Sequence, residues 1–240
     1  MNRLTAQVLP AEEVDEALER GMYALFERYY AATSPDVFHH DLRDKHHVIV
    51  LRDDAGGLRG FTTLAIDDFT FAGRPRRAVF SGDTIIDQEF WGEQALAFAW
   101  TEFAGRLKAR QPDLPLYWFL ICKGFRTYRY LPAMTRHFYP SWKEETPAEM
   151  QQLLDFLAQA RFGDAYRPQE GLIRFPASRG HLREPWLEVS ERERARPDVA
   201  FFLARNPRHG QGEELACITE LAADNLRPVA RRIFERGLAA

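Results

Sequence analysis

Apolar residues in the first 140 positions follow two spacings in turn, and this alternation predicts helices and strands that alternate along the chain. A period of three to four residues is typical of an amphipathic helix, and a short continuous or alternating apolar run indicates a strand. The predicted strands are residues 4–9, 47–51, 58–66, 77–86 and 116–122. The predicted helices are residues 11–32, 34–45 with Ser34 and Pro35 at the start, 92–110, and a helix after residue 122 that contains Tyr128 and Tyr130.

The last hundred residues have a more mixed pattern. The sequence predicts a helix at residues 146–160, strands at 171–175, 199–204 and 214–221, and a final helix at 225–238. Residues 177–197 are charged and interrupted by prolines, so we expect them to be exposed. The final helix has arginines on one side and apolar residues on the other, which favours packing on the protein over binding a membrane. We expect a core of residues 1–143 and an elaboration, residues 144–240, packed on the same sheet rather than an independent domain.

Composition and charge argue against several classes of function. The 45% apolar content is ordinary for a globular protein, and the net charge of −3 gives no overall attraction to nucleic acid or to a membrane surface. No leader pattern follows Met1 and no apolar run approaches the roughly 18 residues of a transmembrane segment, so we expect a cytoplasmic protein. Cys122 and Cys217 lie in apolar runs without metal-ligand spacing, which indicates buried free thiols.

The order of predicted elements over residues 4–139 is strand, two helices, three strands, helix, strand, helix. This order resembles the Gcn5-related N-acetyltransferase (GNAT) superfamily. The resemblance implies an α/β fold, the GNAT-like acyl-CoA N-acyltransferase fold, in which helices flank a central mixed sheet. Two parallel strands that separate, each followed by a helix, would then form a cleft of the size of a cofactor.

The segment from Ile86 to Leu96 resembles the strand end, turn and helix start where that family holds the pyrophosphate of coenzyme A on backbone amides. The segment departs from the family pattern, because Trp91, Gln94 and Leu96 replace the expected residues and only Gly92 remains of the glycine-rich turn. Side chains in place of glycines keep the backbone away from phosphate, which weakens such a cradle. The resemblance implies donor contacts at Ile85, Ile86, Gly92, Gln94 and Ala95.

Residues 123–143 carry five Lys or Arg residues and a histidine among aromatic residues, and no acidic residue. This pattern predicts a surface for phosphate and pantetheine, or for an acidic acyl carrier protein, with Lys123, Arg126 and Arg129 holding the donor. The alternative is a solvated basic face paired with neighbours such as Glu144 and Glu145. A carrier-bound donor has one phosphodiester and needs less of a cradle. Acyl-homoserine-lactone synthases and N-acyl amino acid synthases resemble this fold and take carrier-bound acyl groups.

Acyl transfer to an amine needs a base for the nitrogen, a donor for the oxyanion and an acid for the leaving thiolate. Asp83, in the SGDT sequence at the cleft, is the candidate base; the alternative is a structural carboxylate that caps a strand end or is bonded to Ser81 and Thr84. The resemblance implies that Tyr128 or Tyr130 is the acid. His47 is a weaker acid–base candidate.

Residues 39–47 contain four histidines and two aspartates, which invites a metal-site interpretation. The cluster spans a predicted helix end and a strand start, so a polar helix terminus is the better account and no metal is expected.

These observations predict an N-acyltransferase that moves an acyl group, plausibly a longer chain, from a thioester donor to a small-molecule or peptide amine by direct attack in a ternary complex. The donor would be acyl-CoA or acyl-phosphopantetheine on a carrier protein, with no tightly bound cofactor. Two alternatives stay open. One is a GNAT-like module that binds a ligand or partner without catalysis, and the other is an enzyme that uses acetyl-CoA through a variant loop.

Overall fold

A computed structural model describes residues 4–240 of the chain. Most strands lie where the apolar runs predict them, and the order of strands and helices in the first half of the chain follows the predicted order. Within the described residues the strands are β1 (Thr5–Pro10), β2 (Tyr30–Ala31), β3 (His47–Arg52), β4 (Leu58–Phe71), β5 (Arg74–Ile86), β6 (Leu116–Cys122), β7 (Tyr166–Arg167), β8 (Leu172–Ile173), β9 (His181–Leu182) and β10 (Glu214–Glu220).

The helices are mostly short, and several begin with a capping residue or a proline that the sequence makes visible. For example, the Ser34 side chain accepts a hydrogen bond from the Val37 amide at the start of the second helix, as predicted. The helices are α1 (Glu16–Glu27), α2 (Pro35–Arg43), α3 (Ala95–Arg110), α4 (Phe125–Tyr128), α5 (Tyr130–Met134), α6 (Ala148–Phe162), α7 (Glu184–Leu187), α8 (Glu191–Arg194), α9 (Pro197–Arg205) and α10 (Pro228–Leu238).

One mixed sheet organises the protein, with the strand order β1-β3-β4-β5-β6-β10-β8-β7. β5 and β6 pair in parallel, whereas the other neighbours in this sheet pair antiparallel. The strands β10, β8 and β7, which come from the last hundred residues, extend the same sheet beyond β6. The predicted mixed α/β fold is confirmed.

Helices cover both faces of the sheet, so its central strands are buried on each side. One face packs against α3, α10, α4 and α5, around side chains such as Trp100, Trp118 and Phe234. The opposite face packs against α1 and α2 at one end and against α6 at the other. Among the described residues, no helix is both long and apolar enough to cross a bilayer.

The final helix packs on α3, and the prediction of a packed terminal helix is confirmed. A Cβ at Gly237 would lie 2.2 Å from the Glu102 carbonyl oxygen, and one at Gly105 would lie 2.2 Å from the Phe234 carbonyl oxygen. The two helices therefore approach closely because glycines meet at their crossing.

Three secondary-structure predictions are wrong. Residues 199–204 belong to helix α9 and not to a strand, because Pro197 starts the helix and the buried Val199 and Phe202 are three residues apart on its inner side. Residues 11–32 divide into a 3₁₀ turn, α1 and β2, because the Asp15 carboxylate accepts from the Leu18 amide and starts a new helix there. The helix predicted after residue 122 is two short helices, α4 and α5.

Candidate functional site

The candidate site lies where β5 and β6 separate. The two strands pair in parallel from Arg77 and Leu116 as far as Ser81 and Leu120, and the pairing stops there although β5 continues to Ile86. The edge of β5 that faces β6 therefore has no ladder partner beyond Ser81. This is the geometry that the sequence predicts for the cleft.

A β-bulge marks the same point on β5. Thr62 pairs with Thr84 and Leu64 pairs with Ser81, so Gly82 and Asp83 together oppose the single residue Thr63. A Cβ at Gly82 would lie 2.4 Å from Thr63 Oγ1 and 2.8 Å from Lys45 Cε, closer than real contacts allow. Glycine at position 82 thus lets the Lys45 side chain pass beneath the bulge.

Asp83 lines an open cavity of about 1060 Å³ on the face of the sheet that α1, α2 and α6 cover. Its carboxylate makes no hydrogen bond or ion pair with any other residue in 4–240. Burial raises the pKa of Asp83 to about 7, the nearby Asp41 carboxylate adds to the rise, and Lys123 and Lys45 oppose it. Asp83 is therefore a half-buried carboxylate whose protonation changes near neutral pH.

The alternative account of Asp83, a structural carboxylate bonded to its neighbours, is wrong. Ser81 Oγ instead accepts hydrogen bonds from Trp100 Nε1 at 3.0 Å and from Trp118 Nε1 at 2.9 Å, on the opposite face of the sheet. Thr84 Oγ1 lies 2.7 Å from Thr62 Oγ1. Both neighbouring hydroxyls thus have other partners.

Two ion pairs lie beside Asp83. Lys45 Nζ is 2.5 Å from Asp41 Oδ2, and the Lys45 side chain is fully buried. Lys123 Nζ is 3.3 Å from Glu214 Oε1, with its ammonium 5.2 Å from the centroid of the Tyr30 ring. Burial raises the pKa of Glu214, against the opposing effects of Lys123 and Arg179. The charges that surround Asp83 are thus already paired with each other, and none of them is bonded to it.

A second, narrow crevice of about 30 Å³ lies across the sheet, on the face that α3 covers. Its walls are mainly apolar and aromatic, and include Leu96, Trp100 and Tyr130. Gly82, Thr84 and Thr127 line both the cavity and the crevice. The cavity on one face of the sheet and the crevice on the other therefore meet at these residues, in the gap between β5 and β6.

The turn between β5 and α3 differs from the prediction in where the helix begins. α3 starts at Ala95, with Gln94 before it, and Gly92 lies in the turn with a positive φ of 100° that favours glycine. The first turn of α3 contains no acidic residue and has no side-chain cap. Ile85 lies on the other face, in the cluster beneath α1 and α2.

Trp91 and Arg126 occupy the outer side of this turn. Trp91 Nε1 donates to the Ile86 carbonyl oxygen at 2.9 Å, and its ring meets Trp186 edge to face. The Arg126 guanidinium lies 4.6 Å from the Trp91 ring centroid and donates to the Trp186 carbonyl oxygen at 3.0 Å. Residues from the last hundred thus pack against the predicted donor turn.

The predicted acid–base residues occupy different environments. Tyr130 lines the crevice, and burial raises the pKa of its hydroxyl. Tyr128 is fully buried, donates its hydroxyl hydrogen to the Pro140 carbonyl oxygen at 2.8 Å, and lines neither space. His47 also lines neither space; its ring lies against Phe103, and burial lowers its pKa.

The basic residues after β6 pair individually, and of the two predicted glutamates only Glu144 pairs with one of them, His137. Lys123 pairs with Glu214, and Arg129 Nε lies 3.4 Å from Asp198 Oδ2. The expectation that Glu144 and Glu145 neutralise this segment is wrong for Lys123 and Arg129, because their partners come from later elements that the local sequence does not reveal.

Sequence reasoning missed Asp41, Lys45 and Glu214. Asp41 and Lys45 belong to the polar segment at the end of α2, and their i, i+4 spacing was the available signal that the two side chains pair. Glu214 opens an otherwise apolar strand, and a charge at such a position was the available signal. In the same segment, His39 Nδ1 lies 2.6 Å from Glu19 Oε1, and His46 Nδ1 accepts from the Ile66 amide.

No model of a known protein family matches the sequence, and no curated protein matches it. Similar solved structures include a conserved protein of unknown function from Enterococcus faecalis V583, called a probable N-acyltransferase (17% identity, TM-score 0.41, 57% of this chain). This chain spans about a third of that protein's length, 33%.

Two further similar structures are enzymes. The GNAT family N-acetyltransferase YhbS from Escherichia coli, solved with CoA, is 19% identical, with a TM-score of 0.38 over 54% of this chain and 68% of its own. The glucosamine-6-phosphate N-acetyltransferase from Arabidopsis thaliana is 16% identical, with a TM-score of 0.35 over 49% of this chain and 82% of its own. The fold of this chain is mixed α/β, and each of these two likenesses covers about half of it.

Proposed function

We propose that the protein is an N-acyltransferase that moves an acyl group from a thioester to an amine. The observation that supports this most is Asp83, an unpartnered carboxylate with a pKa raised to about 7, on a bulge at the point where β5 and β6 separate. A base is most effective when its pKa lies near the working pH. Such a carboxylate facing a large cavity suits removal of a proton from an incoming amine.

In the proposed reaction, the amine enters through the cavity and the donor thioester reaches the same point from the crevice. The amine nitrogen attacks the thioester carbonyl carbon, a C–N bond forms, and the C–S bond breaks. Asp83 accepts the proton that the nitrogen loses, and Tyr130 gives a proton to the leaving sulfur. The products are an amide and a free thiol.

Direct attack is preferred over an acyl-cysteine intermediate. Cys122 and Cys217 are both fully buried in the core, and burial raises the pKa of the Cys122 thiol. A thiol that stays protonated is a poor nucleophile. We therefore propose that the donor and the acceptor are bound together when the transfer occurs.

The free edge of β5 would stabilise the oxyanion of the tetrahedral intermediate. Beyond Ser81, backbone amides on the β6 side of β5 have no strand to pair with. Preorganised amides aimed at a developing negative charge are a major source of rate enhancement in acyl transfer.

The donor would be acyl-CoA or an acyl-phosphopantetheine on a carrier protein, and it would carry a longer chain if the apolar walls of the crevice move apart to admit it. The first turn of α3, at Gln94 and Ala95, would face the donor phosphate, since it lacks acidic residues and a side-chain cap. Arg126, beside Trp91 at the same turn, would contribute a positive charge. Lys123 and Arg129 would act more weakly, since each already has a carboxylate partner.

One observation favours the alternative of a module that binds a ligand without catalysis. The crevice holds only about 30 Å³, so a donor must displace side chains such as Leu96 and Trp100 to reach the bulge. A non-catalytic module would need only the cavity.

The test is thermal unfolding with coenzyme A and acyl-CoA from acetyl to palmitoyl, followed by mass spectrometry of an amine mixture incubated with each donor. A ligand at a hundred times its Kd adds about 2.7 kcal/mol, which moves the unfolding midpoint by several degrees. We expect a shift that grows with acyl length and N-acylated products. Absence of both, with a carrier-bound donor as well as with acyl-CoA, would remove the acyltransferase proposal and leave the binding module.

A further inference from the structure

Charge is unevenly distributed around the cavity. Asp44 and Asp41, the latter paired with Lys45, lie at the end of α2 and line the cavity with Asp83. The opposite wall, formed by the end of α6 and the segment that follows it, contributes four arginines: Arg161, Arg167, Arg174 and Arg179. Asp164 lies in the same segment with an exposed side chain. Glu214, which pairs with Lys123, also lines the cavity, and Arg179 is near enough to oppose the rise of its pKa.

Two of the arginines are not engaged by carboxylates. The Arg179 guanidinium lies over the Phe175 ring, 4.5 Å from its centroid, and forms no ion pair within the described residues. Arg167 donates to the backbone carbonyls of Asp164 and Tyr166, and likewise has no ion pair among residues 4–240. In contrast, Arg174 pairs with Glu213 and Glu170, and Arg161 with Asp67.

The carboxylate of Asp83 therefore lies on one side of the cavity, beside the Lys45–Asp41 and Lys123–Glu214 pairs, and two guanidinium groups without an ion pair, those of Arg167 and Arg179, lie on the other. An amine without other charges would satisfy only the side of Asp83. A ligand with a cationic amine at one end and an anion at the other would satisfy both, and guanidinium groups bind carboxylate and phosphate oxygens with two parallel hydrogen bonds.

We propose that the acceptor is an amine that also carries a carboxylate or a phosphate, with the amine toward Asp83 and the anion toward Arg167 and Arg179. This inference rests on the proposed function, because it assigns the acceptor of the same site. The volume of about 1060 Å³ leaves room for such a molecule and a side chain beyond the two charged groups.

The experiment compares pairs of amines that differ in the anion: leucine with leucinamide, and O-phosphoethanolamine with ethanolamine. Binding to the full chain is measured by isothermal titration, and transfer with the best acyl donor is measured by mass spectrometry. We expect the anionic member of at least one pair to bind about 10- to 100-fold more tightly, as a charged hydrogen-bonded pair typically gives. The pair with the larger ratio distinguishes a carboxylate from a phosphate acceptor.

Variants assign the preference to the basic wall. The single variant Arg179→Gln, and then the double variant that adds Arg167→Gln, should reduce the ratio toward one by weakening the binding of the amine that carries the anion. Arg192→Gln removes the same charge from the exposed surface of α8, outside the cavity, and should leave the ratio as it is.

Equal affinities within both pairs, no binding of any of the four amines at millimolar concentration, or a ratio that the double variant leaves intact would overturn the inference. Transfer to amines without any preference for the anion would overturn it while the proposed function stands. A binding preference without transfer to any amine would support the ligand assignment and count against the acyltransferase.

Discussion

The two sides of the sheet, at the point where β5 and β6 separate, differ in volume, charge and access to solvent. On one side, Asp83 faces an open, charged cavity of about 1060 Å³. On the other side, the crevice holds about 30 Å³ and is closed by tryptophans whose indole hydrogens are bonded to Ser81. Gly82 and Thr84 belong to both sides.

This difference suggests that the two sides have different roles in the proposed reaction. A polar, accessible side can admit an amine and take its proton. The apolar side, once side chains such as Leu96 and Trp100 are displaced, can hold an acyl chain and exclude water from the thioester. The bulge on β5 joins the two, since it turns Asp83 toward the cavity at the point where Ser81 turns toward the crevice.

The largest expected effect is on the open side. Asp83→Asn removes the base and should lower kcat by about 10²- to 10⁴-fold, the usual contribution of a general base. Donor binding, which is measured as the shift of the unfolding midpoint by acyl-CoA, should change little. A variant with unchanged kcat would show that Asp83 does not act as the base.

Asp83→Asn should also change how stability depends on pH. Because the pKa of Asp83 is raised from 3.8 to about 7, mainly by burial, the folded state keeps a proton that the unfolded state releases between these pH values. The free energy of unfolding of the wild type therefore falls as pH rises through this range. Denaturant unfolding at several pH values should show a smaller fall for Asp83→Asn.

A pair of tyrosine variants tests the crevice side of the sheet. Tyr130→Phe removes a hydroxyl that lines the crevice, and we expect it to lower kcat by about 100-fold if that hydroxyl protonates the thiolate. Tyr128→Phe is the matched control, since its hydroxyl is bonded to the Pro140 carbonyl; it should cost about 1 kcal/mol of stability and leave kcat nearly unchanged. The reverse pattern in steady-state rates would assign the acid to Tyr128.

Gly82→Ala tests the junction between the two sides. The added methyl group would lie 2.4 Å from Thr63 Oγ1 and 2.8 Å from Lys45 Cε, so the bulge must shift, at a cost of about 1–3 kcal/mol. Gly21→Ala, in α1, meets only Leu58 at 3.6 Å and should stabilise the protein by about 0.5–1 kcal/mol. Equal unfolding free energies for the two variants would argue that the bulge is not constrained.

Of these variants, Ser81→Ala, at the crevice, should have the smallest effect on activity, and its main effect should be on stability. It leaves two buried indole donors without an acceptor and should cost about 2 kcal/mol of stability. Ser141→Ala loses a single bond from the Lys143 amide and should cost about half as much. Similar costs in urea unfolding would show that the tryptophans find other acceptors.

The sequence predicts the scaffold of the site better than its charges. The apolar runs of β5 and β6 and the helix caps are local signals, and they place the separation of the strands correctly. The bulge at Gly82, the partner of Lys123 and the wall that contains Arg179 depend on contacts between residues far apart in the chain. Short-range periodicity carries no information on such contacts, and so the charged cavity was not predicted. Helix α9 was missed for another reason, since Pro197 and the spacing of Val199 and Phe202 are local signals of a helix.

The most direct test of the account is the pH dependence of kcat/KM for acyl transfer by the wild type and by Asp83→Asn. The account predicts a rate that rises with pH through about 7, as Asp83 loses its proton, and a variant that is slower and lacks this rise. A wild-type rate that is flat across this range, or a rise that persists in Asp83→Asn, would contradict the assignment of Asp83 as the base.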